Sequence, residues 1–162
     1  MKNTSVKKSL LSIAILILST NVMANNFHFV HIKQFPRLES FKSIDEFDTY
    51  ITNYENTCLK ATTGKESNKC FIHGKIWLKE LKTYYKKLGH QLKYKEQVAL
   101  RETQKSWQAM YEQSVKFNRL LSLKFSHPYS IEYKNKAKIE ANMIRARALV
   151  LKNWLEQGQK TN

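Results

Sequence analysis

Glycine and proline are scarce in this chain of 162 residues, which contains four glycines and two prolines. A sheet protein needs turn-forming residues at each strand connection, and this small number argues against one. Apolar residues instead recur every three or four positions in four long segments, which is the period of an amphipathic helix. The sequence therefore predicts an all-α fold, a small bundle of about four helices in antiparallel hairpins.

The first helix is predicted to begin at a capping box, in which the Ser43 hydroxyl accepts from the Glu46 backbone and the Glu46 carboxylate reaches back. Its apolar stripe consists of Ile44, Phe47, Ile51, Tyr54 and Cys58. The other helices are expected over 68–92, 95–125 and 131–156. Alanines recur along the apolar stripe of the last helix, so we expect it to approach a neighbouring helix closely.

The N-terminus has the pattern of an export signal. Three lysines precede an apolar run over 10–18, and the small residues Val22 and Ala24 follow where a signal peptidase reads. We expect residues 1–24 to be cleaved near Ala24, leaving a periplasmic or secreted protein without a lipid-anchor cysteine. Residues 25–42 are predicted to form an extended N-terminal arm that either packs along the bundle or stays loose.

The two cysteines, Cys58 and Cys70, could form a disulfide, a metal site or a redox site. Export to an oxidising compartment favours a disulfide. Zinc needs about four ligands. His73 lies near Cys70 in the sequence, but no further Cys or compact His pair completes a zinc site. The C-x-x-C spacing of redox dithiols is absent. The sequence therefore predicts a disulfide at the turn between the first two helices, worth about 3 kcal/mol, and neither metal nor cofactor.

The chain is strongly basic, with a net charge of +15. Without residues 1–24, 25 basic residues remain against 13 acidic ones, which leaves +12. Such a charge either solvates the outer helix faces or favours anionic partners, namely membrane surfaces, envelope polymers, nucleic acid or acidic proteins. Export argues against nucleic acid as the partner. Lys82, Lys86 and Lys93, interleaved with tyrosines, are candidate binding residues.

Catalytic patterns are missing from the sequence. We find no nucleophile beside a base and no paired carboxylates at a recognisable spacing. Asp45, Glu46 and Asp48 cluster in the first turn of a predicted helix, where negative charge suits the helix dipole. We therefore expect a protein that is not an enzyme.

The stretch LRETQKSWQAMYEQSV over 100–115 carries the most specific motif. Together with CLKATTGKESNKC, ELKTYYKKLGHQL and IRARALVLKNWL, it resembles the LprI-like family of exported bacterial helical domains, which is named for a lysozyme inhibitor. The motif residues that match are Leu100, Arg101, Gln104, Trp107 and Arg147. The chain departs from the family in lacking its second cysteine pair. The resemblance implies an LprI-like helical domain over 43–157 and inhibition of lysozyme or another cell-wall lytic enzyme.

Two functions follow as hypotheses. An inhibitor would plug the cleft of a lytic enzyme, whose two carboxylates a cationic loop could contact. The candidate loops lie over 62–69, with Lys65, and over 126–135, with His127. The alternative is a basic structural or interaction module that binds anionic envelope polymers or a membrane surface through its lysine faces.

The motif residues on the third helix have an architectural interpretation. Leu100, Gln104 and Trp107 recur at helical spacing on one face. We expect Trp107 to fill the core and Gln104 to satisfy a buried backbone group. Arg101 is expected to pair with an acid on a neighbouring helix.

Overall fold

The computed structural model describes residues 29–125 and 129–160. Its four α-helices are α1 over Ile44–Ala61, α2 over His73–Gln91, α3 over Tyr94–Phe125 and α4 over Tyr129–Lys160. No β-strand occurs within these described ranges, and the predicted all-α bundle of four helices is confirmed. The predicted signal peptide, residues 1–24, lies outside the described residues.

α1 begins at the predicted capping box. The backbone N–H of Glu46 donates to the Ser43 hydroxyl at 3.0 Å. The Glu46 carboxylate accepts from the backbone N–H of Lys42 at 2.8 Å, one residue earlier than the standard box. Both interactions occupy polar groups at the start of the helix, where the first four backbone N–H groups have no partner within the helix.

α1 and α2 form a hairpin that a disulfide closes. Cys58 and Cys70 are bonded, with their Cα atoms 5.5 Å apart, and both are fully buried. The residues between the helices form a 3-10 helix, Gly64–Cys70, so α2 begins at His73 instead of residue 68. The Glu55 carboxylate of α1 accepts hydrogen bonds from the backbone N–H groups of Ile72, the N-cap residue, and His73, at 2.7 and 2.8 Å. This side-chain cap fixes the later start.

α2 and α4 run parallel in close contact through small residues. A Cβ atom built on Gly74 of α2 would lie 3.7 Å from Ala141 of α4. At the other end of the pair, the side-chain oxygen of Gln91 lies 3.7 Å from the Cβ position of Gly158. The close approach expected from the alanine stripe is therefore confirmed, and α2 is the neighbour that α4 approaches.

The core lies where α1, α2 and α4 meet, with Leu100 added from α3. Trp77 of α2 is fully buried, and its ring meets that of Phe47 of α1 edge-on at 5.2 Å between centroids. The remaining buried members are Ile51, Ile72, Ile76, Leu81, Tyr84, Leu88, Ile144, Ala148, Leu151 and Leu155, with Phe35 and Leu38 from the arm. Burying these side chains is the main driving force for the fold.

The described part of the arm, residues 29–42, packs against α1 and α2. It contains two short 3-10 helices, Ile32–Gln34 and Leu38–Ser40, and it places Phe35 in the core. The backbone N–H of Val30 donates to the hydroxyl of Tyr54 in α1 at 3.0 Å. Of the two alternatives for the arm, packing along the bundle is the one the structure shows.

A buried ion pair holds the arm to α2. The Arg37 guanidinium donates to both carboxylate oxygens of Glu80, through Nε at 2.5 Å and Nη2 at 2.9 Å. Glu80 is fully buried, whereas the Arg37 side chain is 28% exposed. These hydrogen bonds raise the pKa of Arg37. Next to them, Lys79 donates to the carbonyls of Phe35 and Lys33, so α2 binds the arm at several points.

α3 and α4 form a longer antiparallel hairpin. Because Gly74 lies against Ala141, the first twelve residues of α4 reach beyond the start of α2, by about 18 Å at a rise of about 1.5 Å per residue. The end of α3 accompanies them. We call residues 112–125 of α3 and 129–140 of α4 the distal hairpin.

The connection between α3 and α4 is shorter than predicted. The sequence predicts the fourth helix from residue 131 and a candidate loop over 126–135, which overlap. Because α4 begins at Tyr129, the helix prediction is confirmed to within two residues and the loop prediction is wrong for residues 129–135. A proline is well tolerated at the start of a helix, and Pro128 directly precedes α4 in the sequence. Segment 129–135 also has no glycine to interrupt a helix.

Candidate binding groove between α2 and α3

A groove runs along the surface between the antiparallel helices α2 and α3. It contains two adjoining cavities of about 370 and 350 Å³, and Tyr85 lines both. Ile144 of α4 lines the groove from the core side. Gln97 closes the end near the turn, because its side-chain amide donates to the carbonyls of Gly89 and Leu92 at 3.0 and 2.9 Å. The groove is therefore open along its length and closed at the end near the turn.

Cationic side chains line this groove from both helices. Lys82 and Lys86 stand one helical turn apart on α2. Arg101 lines the same groove from α3, and all three residues are exposed. Glu112 is the one carboxylate among the described lining residues. The groove therefore concentrates positive charge, and an anion bound there would meet cations from two sides.

Aromatic side chains form the other part of the lining. The rings of Trp107 and Tyr111 stack with centroids 5.3 Å apart and an interplanar angle of 18°. Tyr85 of α2 lines the groove with them, and all three are only partly buried. Burial, with a contribution from Glu140, raises the pKa of Tyr111, so its hydroxyl stays protonated at neutral pH. These rings offer flat apolar surfaces beside the cations.

The prediction that Trp107 fills the core is wrong. It packs against the edge of the core cluster and is partly exposed in the groove. α4 packs directly against α2, because its small residues let the two helices approach closely. α3 lies at the side of this pair and contributes only Leu100 to the buried core of the described residues. An aromatic stripe on a helix that is covered on one side stays partly open to solvent.

Gln104 and Arg147, two of the motif residues, contact each other across α3 and α4. Arg147 donates through Nε to the Gln104 side-chain oxygen at 3.1 Å and through Nη2 to the Thr103 hydroxyl at 3.3 Å. Its guanidinium also lies 5.2 Å from the centre of the Trp154 ring. Burial lowers the pKa of Arg147. The expectation that Gln104 satisfies a backbone group is wrong, since Gln104 instead links this buried cation to the groove.

The remaining predicted site residues do not all meet in the groove. Leu100 is buried, as the stripe predicts, and Arg101 forms no ion pair among the described residues, contrary to expectation. Lys93 is exposed in the turn at the end of the groove. Lys65 is exposed in the 3-10 helix at the other end of α2, and His127 lies outside the described residues.

A polar cluster that the sequence analysis missed surrounds Asp48. Its Oδ1 accepts from the indole N–H of Trp77 at 2.9 Å and lies 3.3 Å from Nε2 of His73. Its Oδ2 accepts from Nε of Arg145 at 2.8 Å. Burial would raise the pKa of Asp48, but the hydrogen bonds from His73, Arg145 and Trp77 outweigh it and hold that pKa below its usual value. Asp48 therefore joins three helices, beyond the helix-dipole role inferred for it.

The described residues contain no group of three or more His, Cys, Asp or Glu side chains placed to hold a metal ion. Within the same ranges, no helix has the length and apolar character that crossing a membrane requires. Comparison with protein-family models, with curated proteins and with solved structures finds no match to this chain. The LprI-like resemblance therefore stays a prediction that rests on the residues quoted above.

Proposed function

We propose that this protein is an exported, non-enzymatic binding module that holds an anionic envelope polymer in the groove between α2 and α3. The observation that carries the proposal is the lining of that groove. Lys82, Lys86 and Arg101 bring cations from two helices, and the stacked rings of Trp107 and Tyr111 line the same cavity as Lys82. No acid/base or nucleophilic set lines the described groove.

The shape and charge of the groove suit a polymer. An open channel lets a chain lie along it, whereas a small ligand is usually enclosed over most of its surface. Repeated phosphate, sulfate or carboxylate groups could contact cations one helical turn apart, and the apolar faces of sugar rings could stack on the aromatic rings. Because the cations are exposed, pairing them with anions costs little desolvation, and the attraction is screened by salt.

The test compares binding to dextran sulfate with binding to neutral dextran. We expect binding to the sulfated polymer alone, weakening about tenfold from low to physiological salt. A groove variant, Lys82→Gln with Lys86→Gln and Arg101→Gln, should lose most of this binding. A matched control with the same change in charge replaces Lys60, Lys65 and Lys75, which are also exposed.

Equal losses in the groove variant and the control would show that binding depends on net charge and would refute the groove. If the groove variant kept its binding to dextran sulfate, the groove would also be excluded as the binding site. Isolated peptidoglycan and other envelope polymers can then be ranked by the same comparison.

A second candidate function is inhibition of a cell-wall lytic enzyme, which the family resemblance suggests. The observation that favours it is the turn around Lys65, a 3-10 helix between the disulfide-bonded cysteines with Lys65 exposed. A short cross-linked turn loses little entropy when it enters a cleft. In a turnover assay of a lytic enzyme, the triple variant at Lys60, Lys65 and Lys75 should then relieve inhibition, while the groove variant should not.

A further inference from the structure

The distal hairpin carries large apolar side chains in contact with solvent. On α3, Phe117 is 61% exposed, Leu120 is 56% exposed and Leu123 is 73% exposed. They follow one another at intervals of three residues, so they lie side by side along the helix. Leu121, 38% exposed, lies on the same surface. We call Phe117, Leu120, Leu121 and Leu123 the apolar patch.

The exposure of this patch has a structural cause. α3 and α4 extend beyond the start of α2, so the end of α3 is covered by α4 on one side and has no counterpart from α2. Ser114, Val115 and Asn118 are partly buried, whereas Phe117 and Leu120 face outward. Single exposed apolar residues are ordinary in soluble proteins, but a group of four on a projecting element is typical of an interaction surface.

Positive charge surrounds the apolar patch. Lys116, Arg119 and Lys124 lie among its residues on α3, and all three are exposed. The distal hairpin contains six lysines and arginines against three acidic residues, which are Glu112, Glu132 and Glu140. Long cationic side chains can extend their charged ends while their stems lie along apolar surface. Apolar side chains between basic ones are the composition of helices that lie in the interface of an anionic bilayer.

We propose that the distal hairpin docks on an anionic membrane surface, with the apolar patch inserted among the lipid headgroups and the cations paired with lipid phosphates. Charge complementarity selects this partner, because a basic surface with apolar side chains matches an anionic bilayer and repels a second copy of the same basic hairpin. The apolar patch lies beyond the groove on α3, because the groove lining ends at Glu112 and the patch begins at Phe117. The protein would thus hold a polymer while resting on a membrane.

The test uses the chain from Asn25 onward, which contains every described residue, and co-sedimentation with lipid vesicles. Vesicles of phosphatidylglycerol mixed with phosphatidylcholine should bind the protein, and vesicles of phosphatidylcholine alone should bind it at least tenfold more weakly. The patch variant, Phe117→Gln with Leu120→Gln and Leu123→Gln, keeps the net charge. We expect it to lower binding to the anionic vesicles at least tenfold at physiological salt.

A control variant replaces exposed apolar residues elsewhere, Tyr94→Gln and Val150→Gln, and should bind like the wild type. The groove variant should also bind, which separates this proposal from the polymer-binding function. Circular dichroism checks that the patch variant folds; if it does not, Leu123→Gln alone should still weaken binding measurably. Unchanged vesicle binding by a folded patch variant would overturn the proposal. So would a dimer in sedimentation equilibrium that the patch variant converts to monomer, since a second copy would then cover the patch.

Discussion

Replacing Arg37 with alanine tests how the arm is held to the bundle. Glu80 is fully buried, and Arg37 contacts both of its carboxylate oxygens at 2.5 and 2.9 Å. Arg37→Ala would leave a buried carboxylate without its charge partner, which typically costs about 3–5 kcal/mol. The Arg37 side chain is 28% exposed, and solvent screening places the expected loss near the lower end, at about 3 kcal/mol.

Glu80→Gln should be milder than Arg37→Ala. It removes the buried charge and leaves Arg37 able to reach water, so we expect a loss of about 1–2 kcal/mol. In the double variant the two losses should not add, because the unpaired charge that makes Arg37→Ala costly is gone. The coupling energy should be about 1–3 kcal/mol.

Urea unfolding followed by circular dichroism measures these free energies of unfolding. Arg101→Ala serves as the matched control, since Arg101 is exposed and its replacement should change stability by less than about 0.5 kcal/mol. If Arg37→Ala costs no more than this control, or if the two single losses simply add, the ion pair does not hold the arm and the reasoning fails.

Three further changes have defined outcomes. Reducing the Cys58–Cys70 disulfide should lower the free energy of unfolding by about 3 kcal/mol, and equal urea midpoints with and without reductant would contradict this. Trp107→Ala should cost about 2 kcal/mol, less than a fully buried tryptophan, and should weaken dextran sulfate binding; a larger loss of stability with unchanged binding would return Trp107 to the core. Because the pKa of Asp48 is lowered on folding, its contribution is present at neutral pH and lost as pH falls below about 4. Asp48→Asn should therefore be less stable at pH 7 and show a smaller loss on acidification, and parallel stability curves against pH would exclude this.

Periodicity predicted the helices well because it reports which face of each helix is apolar. In the stripe predicted for the first helix, Phe47, Ile51 and Cys58 are fully buried. The same argument failed for Trp107, since spacing shows which residues share a face but not how completely another helix covers it. Coverage depends on α4 approaching α2 through Gly74 and Ala141, a pairing between distant segments.

The polar contacts were beyond prediction for a related reason. Arg37 and Glu80 are 43 positions apart, and Asp48 and Arg145 are 97 apart, so no local pattern connects them. The groove was found in part: the lysines of α2 were proposed as binding residues, but the sequence could not show that Arg101 lines the same surface. Whether Arg101 lines the groove depends on how α3 packs beside α2 in the folded chain.

The groove itself can be tested directly by nuclear magnetic resonance. A sulfated oligosaccharide is titrated into isotopically labelled protein, and the amide shifts are followed residue by residue. We expect the changes to cluster at the groove, around Lys82, Lys86, Arg101 and Trp107. Changes confined to the turn around Lys65, or spread evenly over all exposed lysines, would contradict binding in the groove.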